Sequence, residues 1–191
     1  KSPGAGSTAE PIAAYTSAPV RPLEGGGDQA KDPWRAQVFC ITVLPEEEPE
    51  PLILMGMDEK LLLEQFSVAI AQRKLETKTG IEWMTYNGLK FDYRLILMRA
   101  IKYRLTSLAR EFTLATRYGD GTHKDLFPAL GGEGKLDEWA EFFGIHNENH
   151  RGFTGGDIPA ALRDGREAAL TAHIRSRVTV LREINRLMGW I

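Results

Sequence analysis

The residue best placed to do chemistry in this 191-residue chain is Asp92. It lies in the stretch MTYNGLKFDYRLI, which is typical of a buried strand, a tight Asn-Gly turn and a helix that begins with the aspartate. A carboxylate at such a position is a candidate ligand of a catalytic divalent cation. Hard cations require several anionic oxygens, so the rest of the chain must supply partners for Asp92 if it binds a metal.

Cysteine content and charge exclude several other kinds of chemistry. The single cysteine, Cys40, excludes an internal disulfide framework and a cysteine zinc site. It lies in the apolar run VFCITVL, so a buried structural thiol in a reducing, cytoplasmic compartment is expected. The net charge of -2 gives no global signature of nucleic-acid binding. Arginine and lysine nevertheless outnumber acidic residues locally from Arg94 to Lys124 and after Arg151, which is typical of a solvated helix face or of phosphate contact.

Hydrophobic periodicity predicts the elements that would hold Asp92 in place. Residues 1–10 have the composition of a linker and residues 21–33 that of a flexible loop, so the predicted domain spans 11–191. Strands are predicted at 11–20, 37–44, 52–57 and 82–86, and helices from 58, over 92–103, over 135–145 and over 164–188. This order predicts an α/β domain with a mixed sheet. No apolar run is long enough for a membrane helix, and the opening KSPGAGSTAEP lacks the apolar core of a signal peptide, so no membrane partner is expected.

The order of the motifs resembles that of the DnaQ-like (DEDD) 3′–5′ exonucleases, closest to the exonuclease domain of B-family DNA polymerases. MTYNGLKFDYRLILMRA is similar to the second motif, with its Asn-Gly-x-x-Phe-Asp turn. HKDLFPAL and KLDEWAEFFGI resemble the segment that follows, and GREAALTAHIRSRVTVLREI resembles the final helix, which bears the third motif. The resemblance spans roughly residues 11–190 and implies an RNase H-like fold, a five-stranded mixed sheet with helices on both faces.

The chemistry implied by this resemblance needs four carboxylates that hold two Mg²⁺ or Mn²⁺ ions. An Asp-x-Glu pair lies on the first strand, one aspartate in the second motif and one in the third. One ion activates the attacking water and the other stabilises the leaving 3′ oxygen. By resemblance, Asp92 is the second-motif aspartate and His173 the residue that orients the water; a partly buried histidine is the alternative interpretation of His173.

Three of the four expected carboxylates are missing. No acidic residue occurs from Pro11 to Leu23, and Arg177 stands where the third motif has its aspartate. The Asp-x-Glu positions fall on one of two pairs, Tyr15 and Ser17 or Thr16 and Ala18. A guanidinium about 4 Å from a metal position adds roughly 8 kcal/mol of repulsion against a divalent ion at an effective dielectric of 20. No metal cofactor is therefore expected, and Mg²⁺ or Mn²⁺ would be needed only if rearranged or borrowed ligands preserve activity.

These departures predict a degenerate exonuclease-like domain. Arg177 is expected to fill the former metal position and to pair with Asp92. The expected partners are single-stranded DNA or RNA, together with proteins or further domains of a larger chain. Candidate nucleic-acid contacts are Asn87, Trp34, Arg175 and Arg177. A pure protein-interaction domain and a hydrolase that borrows ligands from a partner are the alternatives.

Overall fold

A computed structural model describes residues 10–17, 36–78, 81–115, 123–146 and 152–190. Its strands are β1 (Glu10–Ser17), β2 (Cys40–Pro45), β3 (Leu52–Met55), β4 (Ile81–Thr85) and β5 (His123–Asp125). Its helices are α1 (Glu59–Thr77), α2 (Asp92–Lys102), α3 (Thr106–Ala115), α4 (Leu126–Ala129), α5 (Leu136–Phe142), α6 (Ile158–Arg163) and α7 (Glu167–Leu187). None of the helices in these ranges is both long enough and apolar enough to cross a bilayer.

The strands pair in the order β3-β2-β1-β4-β5. β1 runs antiparallel to β2 and parallel to β4, β3 is antiparallel to β2, and β5 is parallel to β4. The predicted α/β class with both strand senses is therefore confirmed. β1 begins at Glu10 and pairs through Ser17, so the part of the predicted first strand that contains Ala18 lies outside the described residues.

Helices cover both faces of the sheet, and the apolar side chains of β2 pack into three clusters on the two faces. Ile41 and Val43 pack in a cluster with residues of α1, α2 and α3. Leu44 packs with α5 and α7, and Cys40 packs with α6 and the N-terminal half of α7. The Cys40 side chain is 1% exposed, which confirms the predicted buried thiol.

Elements α3, α4, α6 and β5 were not predicted, and the final helix begins later than expected. α3 lies in a segment for which no element was predicted, although its buried Leu108 and Phe112 have the i, i+4 spacing of a helix. The final helix was predicted to begin near residue 164, whereas α6 ends there and α7 begins at Glu167. Gly165 separates the two helices with φ +68°, a conformation that favours glycine.

A buried carboxylate ties α1 to α2. Glu59 is 4% exposed and accepts hydrogen bonds from the Val38 backbone N–H at 2.7 Å and from the Tyr103 hydroxyl at 2.8 Å. The Arg99 Nε lies 2.9 Å from the same carboxylate. Each oxygen of Glu59 therefore has a donor, which allows a charge to remain in the core.

Candidate functional site

The Asn-Gly turn between β4 and α2 is built as the sequence indicates. Asn87 has φ 61°, a left-handed conformation that asparagine tolerates better than most residues. Gly88 lies directly over the side chain of Thr85: a Cβ added at this position would be 2.5 Å from the Thr85 Oγ1. The Tyr93 N–H donates to the Gly88 carbonyl at 2.9 Å, which connects the turn to the first residues of α2. The residue types at 87 and 88 are therefore required by the turn itself.

Asp125 clamps this turn from the neighbouring strand. Its carboxylate accepts the backbone N–H groups of Asn87 at 2.6 Å, Leu89 at 3.1 Å and Phe127 at 3.1 Å. Burial raises the pKa of the Asp125 carboxyl, and the backbone donors oppose that shift. The role of Asp125 is thus to hold the turn and the start of α4, a contact over 38 residues that local sequence does not reveal.

Asp92 is the first residue of α2 and is partly buried. A carboxylate in the first turn of a helix is stabilised by the helix dipole. The next residue, Tyr93, is 2% exposed and stacks on His123 with ring centroids 4.2 Å apart. Burial raises the pKa of the Tyr93 phenol well above its usual value, and the charges of Asp92, Asp125 and Glu111 add to the shift.

An open groove of about 680 Å³ lies beside the turn. Its walls come from the turn after β4, the start of α4, the start of α5, the loop at 152–155 and α7. The lining side chains that bear polar or aromatic groups are Tyr86, Asn87, Phe127, Lys135, Asp137, Phe153, Thr154 and Arg177. Two of these are basic and one is acidic, which gives the described lining a formal charge of +1. Asp92 is not among the described residues that line the groove.

Arg177 reaches the groove from α7 and is bound by Asp137 of α5. The Arg177 Nη1 lies 3.1 Å from each carboxylate oxygen of Asp137. The Arg177 side chain is 16% exposed and that of Asp137 is 30% exposed, so the pair is partly shielded from water. The sequence predicted a pair between Arg177 and Asp92, whereas the acidic partner that the described residues show is Asp137. The difference arises because α5 packs along α7 and brings Asp137 beside the arginine.

Two capped loops fix the other walls of the groove. The Tyr86 hydroxyl donates to the Gly134 carbonyl at 2.8 Å, and the Lys135 N–H donates to the Glu138 side chain at 2.8 Å. In the second loop, the N–H and the hydroxyl of Thr154 both donate to Asp157 at 2.7 Å. These donors lower the pKa of the Asp157 carboxyl. The loop at 152–155 therefore faces the groove in a defined conformation.

The remaining predicted site residues are dispersed. His173 is 5% exposed and its ring lies 5.7 Å from that of Phe153, beside the groove rather than in its lining. Arg175 is on the surface, with its Nη2 2.9 Å from Glu50. Trp34 lies outside the described residues. The backbone register of β1 aligns Tyr15, Thr16 and Ser17 with Thr42, Ile41 and Cys40.

Six of the eight polar or aromatic lining residues were not predicted as site residues: Tyr86, Phe127, Lys135, Asp137, Phe153 and Thr154. Two of them occupy positions that carry a usable signal, because Tyr86 is the last residue of a predicted strand and Lys135 is the first residue of a predicted helix. Ends of strands and starts of helices are where binding groups usually lie in α/β folds. No such signal marks Phe153 or Asp137, whose places depend on how α5, α6 and α7 pack.

Comparisons with known proteins do not assign the chain to a family. No protein-family model matches the sequence, and no curated protein matches it significantly.

Proposed function

We propose that this chain is a catalytically degenerate 3′–5′ exonuclease-like domain that binds single-stranded nucleic acid or acts as a scaffold in a replication, repair or mobile-element assembly. The observation that carries the proposal is the Arg177–Asp137 pair in the wall of the groove. By the order of motifs, Arg177 stands where a metal-binding aspartate is expected, and its positive charge lies beside the Asn-Gly turn. A phosphate is the ligand that such a charge fits.

The strand pairings are compatible with the RNase H-like fold that the resemblance implies. That fold has a mixed sheet with helices on both faces, and the described strands and helices have this arrangement. The Asn-Gly turn of the second motif then lies at the groove, and the third motif lies on α7, which also contributes to the groove lining. The relative placement of the two motifs supports the assignment.

The residues at the groove do not fit a two-metal centre. Asp137, the acidic residue in the described lining of the groove, is engaged with a guanidinium. The single acidic residue of β1 is Glu10 at its first position, where it pairs with Ile81, and none occurs from Pro11 to Ser17. Within the described ranges, no group of three histidine, cysteine, aspartate or glutamate side chains is arranged to hold a metal ion. Two divalent ions need several anionic oxygens to balance their charge. The proposed function is therefore binding without hydrolysis.

A binding titration tests the proposal. A labelled 20-nucleotide single strand, as DNA and as RNA, is titrated with wild type, Arg177→Gln and the control Arg110→Gln at two salt concentrations. Arg110 is an exposed arginine of α3 and does not line the groove, so the control removes the same charge elsewhere. We expect Arg177→Gln to weaken binding several-fold and to reduce the salt slope by about 0.7, the value for one phosphate contact on a single strand. Equal behaviour of the two variants would overturn groove binding, and no binding at low salt would favour a protein-interaction domain.

A nuclease assay tests separately whether the domain lacks exonuclease activity. Wild type is incubated with a 5′-labelled strand and Mg²⁺ or Mn²⁺, and Asp92→Asn is the control. We expect no metal-dependent shortening from the 3′ end. Shortening that disappears in Asp92→Asn would establish an active exonuclease with rearranged or borrowed ligands, whereas shortening that persists in the variant indicates a contaminating nuclease.

A further inference from the structure

A second basic surface lies on the face of α7 that points away from the groove. Arg175, Arg182 and Arg186 follow each other at i, i+7 and i+11, so they form one stripe along the helix. Arg177 is two residues from Arg175, which turns it about 200° around the helix axis into the groove. The stripe and the groove are therefore separate surfaces of the same helix.

The acidic residues Glu46–Glu50, at the tip of the hairpin that β2 and β3 form, cover this stripe. Glu46 lies 2.6 Å from the Arg186 Nη2, and Glu50 lies 2.9 Å from the Arg175 Nη2. Arg182 donates to the backbone carbonyl of Glu48 at 2.7 Å. On its other side the hairpin is tied to α1, where the Arg73 Nη2 lies 2.8 Å from Glu47. Each arginine of the stripe is thus bound to the segment PEEEPE.

The Arg175–Glu50 contact is weak enough to exchange, since its side chains are 51% and 63% exposed. The Arg186–Glu46 contact is more shielded, with side chains 42% and 22% exposed, and is the last that a partner would have to open. An exposed ion pair typically contributes between 0 and about 1 kcal/mol because water screens it and two side chains lose freedom. A partner that offers several linked negative charges gains from the release of its counterions when it binds a row of arginines. The hairpin can therefore be displaced by a polyanion without unfolding of the sheet.

We infer that the Arg175–Arg182–Arg186 stripe is a binding surface for the phosphodiester backbone of nucleic acid. The Glu46–Glu50 hairpin covers this surface until a single strand of DNA or RNA displaces it. The stripe spans 11 residues, about 16 Å of helix. Arginine suits this partner because its planar guanidinium contacts phosphate oxygens through two N–H groups. This inference does not depend on the groove, since neither the stripe nor the hairpin contributes to its described lining.

Neutralisation of the hairpin is the direct test. In one variant Glu46, Glu47, Glu48 and Glu50 are replaced by glutamine, and in the matched control Glu64, Glu76, Glu141 and Glu167 are replaced. Both variants change the net charge by the same amount. With a labelled 20-nucleotide single strand at 50 mM salt, we expect the hairpin variant to bind roughly tenfold more tightly than the control, with a salt slope steeper by about 2, or 0.7 for each of three phosphate contacts. Equal affinity and slope in the two variants would overturn the inference.

Second substitutions separate the stripe from the groove. In the hairpin variant, Arg182→Gln with Arg186→Gln should abolish the gain, whereas Arg177→Gln should leave the gain in place and lower only the binding due to the groove. If the hairpin variant still binds more tightly after loss of Arg182 and Arg186, the oligonucleotide binds elsewhere on the protein. If Arg177→Gln has no effect in any background, the proposed groove function fails while the stripe stands.

The unmodified protein provides an independent measurement. The Glu48 N–H donates to the Pro45 carbonyl at 3.2 Å and so reports on the hairpin. A saturating oligonucleotide should accelerate hydrogen exchange at this amide if the strand displaces the hairpin. Unchanged or slower exchange with oligonucleotide bound would contradict displacement.

Discussion

The ion pair between Arg177 and Asp137 should stabilise the protein by a measurable coupling energy. Two opposite charges about 4 Å apart attract by roughly 4 kcal/mol at an effective dielectric of 20, before desolvation and loss of side-chain freedom are subtracted. An exposed pair retains up to about 1 kcal/mol, and loss of one partner from a fully buried pair costs about 3–5 kcal/mol. With exposures of 16% and 30%, this pair lies between those cases, so we expect a coupling of about 1–2 kcal/mol.

A double-mutant cycle measures this coupling. Arg177→Gln, Asp137→Asn and the double variant are unfolded in urea, which does not screen charges as guanidinium chloride does. The Lys60–Glu64 pair of α1 is the matched control, since its side chains are 57% and 44% exposed and its nearest N–O distance is 3.3 Å. That pair should give a coupling of about 0.3–0.5 kcal/mol. A coupling for Arg177 and Asp137 no larger than that of the control would refute the reasoning that partial burial strengthens the pair.

The other predictions concern the turn, the core and the groove loop. In urea titrations, Gly88→Ala should lower the free energy of unfolding by about 1–3 kcal/mol, because the new Cβ would meet three atoms of Thr85 within 2.7 Å. The control Gly152→Ala, with open space around its Cβ, should change the free energy of unfolding by less than about 1 kcal/mol. An equal effect of both would contradict the clash. Tyr93→Phe should leave stability near neutral pH unchanged or higher, since the buried Tyr93 hydroxyl has no hydrogen-bond partner among the described residues. Because the pKa of Tyr93 is raised on folding, its contribution to the free energy of unfolding is fully present below the unfolded pKa of about 10 and is lost as pH rises above it. The stability of Tyr93→Phe should therefore be less sensitive to alkali than that of wild type. An identical alkaline profile of the two proteins would be the contrary result. For Asp157 the sign is reversed: its pKa is lowered, so the Thr154 contacts stabilise the loop above pH 3.8 and are lost as pH falls through the lower folded pKa. The Thr154 amide shift followed by NMR should titrate with a midpoint below 3.8, and a midpoint at or above that value would contradict the capped loop.

The sequence predicted local structure well where the signal is local. The end of β4, the Asn-Gly turn and the start of α2 at Asp92 follow from strand patterning, turn chemistry and an acidic residue in the first helical turn. The final helix, α7, was predicted from its apolar spacing, and Arg177 lies on it as expected. The strand predicted at 11–20 also forms, and its residues Tyr15 to Ser17 pair with β2.

The partners of these residues were not predictable in the same way. Asp137 is 40 residues from Arg177, and Asp125 is 38 residues from Asn87. Which carboxylate meets a given donor over such separations depends on how whole helices and strands pack. The expected Arg177–Asp92 pair rested on the motif resemblance, which assigns both residues to one former metal site. The order of motifs does not show which other carboxylate the packing of α5 brings beside the arginine.

The position of β1 in the sheet has a consequence for how the chain folds. β1 joins β2 and β3 on one side to β4 and β5 on the other, yet it precedes the other described strands in sequence. Ser17 pairs with Cys40, 23 residues later, and Glu10 pairs with Ile81, 71 residues later. Contacts over such separations form slowly because a long loop must close first. We therefore expect the β2–β3 hairpin and the β4–α2 turn to form before β1 unites them, so that substitutions in β1 mainly accelerate unfolding and leave the folding rate almost unchanged in stopped-flow experiments.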